Sequence, residues 1–182
     1  MLKFFFLVLM VVVALLIYTA TRPDTFRITR ATLVKAQPDT LFALINDLRR
    51  HAAWGPWESL DPAMKRVYSE NSRGVGASYA WVGNHQAGTG RIEITESVPD
   101  ERVRMKLDYL QPFEAHNSVE FTLDRQGETT LVTWSMQGTN NFMGKLMGLL
   151  FSDRLIGGMF EKGLSNLKAL AESATPALLE RS

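Results

Sequence analysis

The sequence predicts an α+β domain in which a curved antiparallel sheet of about six to seven strands wraps one long C-terminal helix. A single apolar helix precedes it. Three observations predict this. Residues 4–20 carry no charge. Between residues 25 and 137 the chain breaks into short β-branched or alternating runs separated by turn residues. From Gly144 to Ala171 the apolar residues recur at helical spacing.

The first segment reads FFFLVLMVVVALLIYTA and would span roughly 25 Å as a helix, enough to enter the lower range for crossing a bilayer. Lys3 can snorkel at one end, Tyr18 and Arg22 suit the other interface, and Pro23 ends the helix. A cleaved export signal is the competing reading. The bulky Tyr18, two residues before Ala20, favours an uncleaved single-pass anchor. Arg22, Arg27, Arg30 and Lys35 outweigh Lys3 and favour a cytoplasmic domain, whereas an apolar run behind one positive charge resembles an export signal. The expectation is the exported side. The chain thus divides into a membrane segment at 1–22, a folded domain at 23–173 and a flexible tail at 174–182.

Composition limits the rest. With 182 residues there is room for one domain. Twenty basic and nineteen acidic side chains leave a net charge of +1, so no basic field exists to hold nucleic acid. The absence of cysteine removes disulfides, thiolate zinc sites, iron–sulfur clusters and a cysteine nucleophile.

Thr25–Val34 reads as a strand, rich in β-branched residues. Pro38 suits a first helical turn, and Leu41, Phe42, Leu44, Ile45 and Leu48 continue a short helix that ends in the polar run Asp47–His51. Two indoles, Trp54 and Trp57, flank a Gly-Pro turn. Met64–Glu70, Ala77–Val82 and Thr89–Val98 follow as strands. Arg102–Leu110 alternates cleanly, with Val103, Met105, Leu107 and Tyr109 on one face. Phe113–Asp124 and Thr130–Gln137 repeat the alternation. On the final helix, Leu146, Leu149, Leu150, Ile156, Phe160, Leu164, Leu167 and Ala171 form the apolar stripe.

This order resembles the START-like, helix-grip superfamily of polyketide cyclases/dehydratases and lipid-transport proteins. The resemblance rests on AQPDTLFALIND at 36–47, the tryptophans of HAAWGPWE at 51–58, and the strand runs GRIEITESVPDERVRMKLDYLQPFEAHNSVEFTL at 90–123 and TTLVTWSMQG at 129–138. It spans roughly Phe26 to Glu172. It implies a deep cavity between sheet and helix that holds an apolar small molecule or lipid.

Candidate lining residues are Trp54, Trp57, Tyr79, Trp81, Met105, Tyr109, Phe121, Trp134, Met147 and Phe151. Rings offer flat apolar walls, Tyr and Trp keep a polar atom, and Met adapts to irregular shapes. The same residues would also serve as core filling. Asn117 falls on the apolar side of its strand, where it must find a partner, either within the fold or on a ligand.

No catalytic residue stands out. His51, His85 and His116 lack metal-ligand spacing, and no cofactor motif is present; Gly74-x-Gly76 and Gly88-x-Gly90 read as hairpin glycines. Arg91 and Glu93 share one strand face, as do Glu114, Glu120 and Asp124; inward they could do acid/base work, outward they are a solvated surface. The expected function is membrane-anchored binding or transport of a hydrophobic small molecule. A cyclase, dehydratase or hydrolase in the same cavity, and a stress or assembly module that binds protein, are the alternatives. Gly144, Gly148, Gly157, Gly158 and Gly163 make the last helix either closely packed or compliant.

Overall fold

The computed structural model describes residues 1–112, 114–139, 145 and 153–179. Seven antiparallel strands form one sheet in the order β1-β7-β6-β5-β4-β3-β2. They are β1 (Thr25–Val34), β2 (Lys65–Tyr68), β3 (Ser78–Val82), β4 (Thr89–Val98), β5 (Arg102–Gln111), β6 (Ala115–Gln126) and β7 (Thr129–Thr139). Five follow one another in tight hairpins, and β1 returns to pair with β7. Helices α1 (Leu2–Ala20), α2 (Pro38–Ile45), α3 (His51–Trp54) and α4 (Asp153–Leu179) complete the described fold, with a 3₁₀ turn at Pro56–Ser59.

The core lies between the inner face of the sheet and α4. Alternation puts Val103, Met105 and Leu107 of β5, Val119, Phe121 and Leu123 of β6, and Val132, Trp134 and Met136 of β7 inward and buried. From α4, Phe160, Leu164, Leu167 and Ala171 close on them. Residues 144 and 146–152, where the sequence reading begins its helix, lie outside the described residues. The helix carries on through Leu179, beyond the point at residue 174 where the sequence suggests a tail.

The junction after α2 shows why a polar run can fold inward. His51 donates from Nε2 to the Ile45 carbonyl at 2.7 Å, and Trp54 donates from Nε1 to the Leu44 carbonyl at 3.3 Å. Both carbonyls sit in the last turn of α2, where the helix itself supplies no donor. Asp47, also buried, accepts from the Arg49 backbone N–H, Ser72 Oγ and Arg73 Nε at 3.0–3.1 Å. Burial raises its carboxyl, but these donors together hold it below the usual carboxylate value. The polar run Asp47–His51 is therefore a buried clasp at both ends, not a solvated helix exit.

α1 is exposed and apolar almost throughout, with a mean hydropathy of 2.5 over Lys3–Ala20. By length and composition it fits a membrane span and equally an export signal. Thr21–Asp24 alone separate it from β1.

Two of the helix glycines are packing devices. A Cβ on Gly157 would lie 2.2 Å from the Arg30 guanidinium, and one on Gly163 would lie 2.7 Å from the Trp134 ring. Gly158 faces open space.

Candidate functional site

A cavity of about 80 Å³ lies within the inner core. Eight of the eleven residues chosen from sequence line it: Trp54, Trp57, Tyr79, Trp81, Met105, Tyr109, Phe121 and Trp134. His51, Gly55, Pro56, Glu58, Met64, Ile92, Leu107, Val119, Met136 and Phe160 complete the wall. Strand alternation brings the residues of β3, β5, β6 and β7 to one face, while α3 and the 3₁₀ turn lay Trp54 and Trp57 across it. Met147 and Phe151 lie outside the described residues. Asn117 is buried on the inner face but away from this cavity; a Cβ on its neighbour Gly138 would lie 2.1 Å from its Oδ1.

One wall is a continuous ring stack. Trp134 stacks on Phe160 at 4.1 Å and 7°, and touches Phe121 at 4.8 Å. Trp54 and Trp57 meet Trp134, each with ring centroids 5.8 Å away. The Trp134 indole N–H is buried with no partner among the described residues. A second run links Tyr68 to Tyr79 (5.2 Å), Tyr79 to Trp81 (6.0 Å) and Trp81 to Tyr109 (5.4 Å). Gly90 makes room for the second run: a Cβ there would lie 2.5 Å from the Trp81 ring.

The polar groups gather at the β2–β3 edge. Glu58, on the 3₁₀ turn, forms an ion pair with Arg66, which β2 points inward opposite Trp81. Their side chains are 27% and 15% exposed. Arg66 also donates to the Met64 carbonyl at 3.3 Å, and its Nε is buried without a partner among the described residues. Burial lifts the Glu58 carboxyl above its usual value, outweighing the attraction of Arg66. Burial also raises the Tyr68, Tyr79 and Tyr109 phenols; Trp57 hydrogen-bonds to Tyr109 and opposes the rise there. His51 is neutral against the wall, its ring pushed down to about 4 by burial.

Sequence reasoning singled out neither Glu58 nor Arg66, choosing Arg91 and Glu93 as the pair to watch. That pair points outward, at 54% and 39% exposure. Glu120 and Asp124 are also on the outer face, and Glu120 pairs with Arg104. His116 is exposed and bonds Asp108 at 2.6 Å, and His85 sits in an exposed turn. The one available signal for the inner pair was β2 itself, a strand whose alternate residues Arg66 and Tyr68 must face the core if Val67 faces water. Among the described residues, no three His, Asp or Glu side chains gather to hold a metal ion.

These features define a sheet-and-helix domain built round an aromatic-walled cavity with one ionic edge. The chain belongs to the polyketide cyclase/dehydrase and lipid transport family, whose pattern it matches over residues 25–172. No curated protein matches its sequence. Among solved structures it resembles protein CV1439 from Chromobacterium violaceum, at 18% identity and a TM-score of 0.57 over 82% of this chain and 99% of that one. Ginseng major latex-like protein 151 from Panax ginseng is similar at 16% identity and a TM-score of 0.57, over 82% and 99%. The di-domain aromatase/cyclase StfQ of the steffimycin biosynthetic pathway aligns at 12% identity and a TM-score of 0.61, over 84% of this chain and 52% of that one. At these identities the likeness is one of fold.

Proposed function

We propose that the chain is a membrane-tethered holder of a hydrophobic small molecule, a lipid or polyketide-like compound, in the cavity between sheet and α4. The observation that carries this reading is the wall: four tryptophans, two tyrosines and three methionines converge on one space. Aromatic and thioether surface of this kind grips apolar bodies of varied outline. The family's description, which includes lipid transport, agrees with it.

At about 80 Å³ the space is well below the several hundred Å³ of a drug-sized site. Loading therefore displaces wall residues, and Met64, Met105 and Met136 are the adaptable ones. With α1 in a bilayer, the link from Ala20 to Thr25 spans at most about 17 Å. The domain then stays beside the lipid from which an apolar ligand is drawn.

Native mass spectrometry of the detergent-purified full chain, followed by organic extraction, tests the reading. A reproducible apolar molecule bound one to one is expected. Its consistent absence overturns the carrier reading.

Glu58 favours a second reading, catalysis on a hydrophobic substrate. It is the one carboxyl on the described cavity wall, and a carboxyl raised by burial suits proton transfer. Under that reading, molecules extracted from wild-type and Glu58→Gln protein differ in mass by a chemical step such as loss of water. Identical masses leave the carrier alone.

A further inference from the structure

Resting on the reading that the cavity takes an apolar ligand, we propose that Glu58 and Tyr79 form its polar end and select an uncharged ligand that carries a hydroxyl group. The Glu58 carboxylate accepts the ligand O–H, and the Tyr79 phenol donates to the same oxygen. The favoured class is an alcohol or phenol on a flat apolar body, in preference to a hydrocarbon or a carboxylate.

Four observations lead there. Both side chains line the cavity, Tyr79 within the second aromatic run between Tyr68 and Trp81. The Tyr79 hydroxyl meets no hydrogen-bond partner among the described residues, although Glu58, Arg66 and Tyr68 act on it through space. A half-buried phenol with no protein partner among the described residues has its O–H free to donate to a ligand. Arg66, by contrast, is committed. One terminal nitrogen is bound to Glu58, the other to the Met64 carbonyl, and Nε has no accessible surface. An incoming carboxylate would find one N–H of each terminal nitrogen already taken and would face the Glu58 charge. A cationic ligand would face Arg66. A carbonyl could accept from Tyr79, yet it would desolvate Glu58 further and offer it no proton. A hydroxyl alone answers both groups, since it donates and accepts. The rings of Trp57, Trp81 and Tyr109 beside this edge supply the flat wall.

The test uses the full chain in phosphatidylcholine nanodiscs at pH 7, with three probes of one outline: 2-naphthol, 2-methylnaphthalene and 2-naphthoate. Binding is measured by equilibrium dialysis and corrected for partition into empty nanodiscs. Wild-type protein is expected to prefer 2-naphthol over both others by roughly tenfold. Tyr79→Phe, which removes one oxygen and preserves the ring packing, should reduce the preference for 2-naphthol over 2-methylnaphthalene severalfold. Glu58→Gln should remove most of the penalty on 2-naphthoate. Equal affinity for 2-naphthol and 2-methylnaphthalene in the wild type overturns the proposal, as does a preference that both variants leave intact. If none of the three probes binds beyond empty nanodiscs, the cavity reading fails, and this selectivity fails with it.

Discussion

The two faces of the sheet carry near-duplicate chemistry in opposite settings. Outside, Arg91 and Glu93 pair at 2.9 Å with both side chains well exposed. Inside, Arg66 and Glu58 pair with most of their surface buried. Outside, His116 leans on Asp108; inside, His51 leans on a helix carbonyl. α4 repeats the contrast, with Gly158 facing open space and Gly163 facing Trp134. The lesson is that residue type and pairing alone say little about role. The dielectric around a pair, and the room around a glycine, decide whether its loss is felt.

The largest expected effect is on the inner histidine. Burial pushes the folded ring down to about 4 from its ordinary value of 6.5. The unfolded chain therefore binds the proton that the folded one refuses. The stability tied to neutral His51 is present above pH 6.5 and is lost as pH falls towards 4. The size is roughly 3 kcal/mol by linkage. His51→Gln can keep a donor for the Ile45 carbonyl while removing the titration. The wild-type minus His51→Gln difference in urea-unfolding free energy should thus change by about that amount across the window. A difference that stays flat from pH 7 to 4 breaks the contrast. On the outer face the contrast reverses, because the hydrogen bond that the His116 ring donates to the Asp108 carboxylate raises that ring. Ring titration by NMR should place His116 above 6.5 and His51 near 4.

Next comes the ion pair. Arg66→Met leaves the Glu58 carboxylate beside apolar rings with no counter-charge. Breaking a fully buried pair costs 3–5 kcal/mol; with Glu58 partly exposed, about 2 kcal/mol is expected here. The loss should shrink in acid, as Glu58 takes up a proton and the stranded charge disappears. Arg91→Met, on the outer face, should cost under about 0.5 kcal/mol and vary with salt. Equal losses from the two substitutions in urea unfolding would show that the inner pair is as well solvated as the outer one.

Much of the fold was legible because the sheet has one wet face. In β5 the sequence Arg102–Gln111 alternates charge and apolar side chain, and burial follows it residue by residue up to Leu107. The bounds of β1 and β4 are also those read from the sequence. From the same alternation came six of the eight cavity residues, Trp54 and Trp57 coming instead from the Gly-Pro turn. The polar edge was not legible. β2 has four residues, too few for alternation to declare a face, and Glu58 lies on a 3₁₀ turn where a period of two says nothing. Asp47 and His51 read only as part of a polar run, because their partners, the Ser72–Arg73 turn and the last carbonyls of α2, are brought to them only by the fold.

The smallest effects come from the helix glycines, and they differ in sign. Interior glycine costs a helix about 1 kcal/mol against alanine. At Gly158 nothing lies within 4 Å of an added methyl, so Gly158→Ala should recover up to that amount. At Gly163 the methyl would meet the Trp134 ring at 2.7 Å and Pro56 at 3.0 Å. Trp134 is pinned between Phe160 and Phe121 and has little room to retreat. Overpacking of that kind costs about 1–3 kcal/mol, which exceeds the gain in helix propensity, so Gly163→Ala should lose about 1 kcal/mol net. Chemical denaturation of the two variants measures both. Stabilisation by Gly163→Ala would mean that the ring stack yields easily. The cavity wall would then be soft at Trp134, and ligand entry would need no help from the methionines.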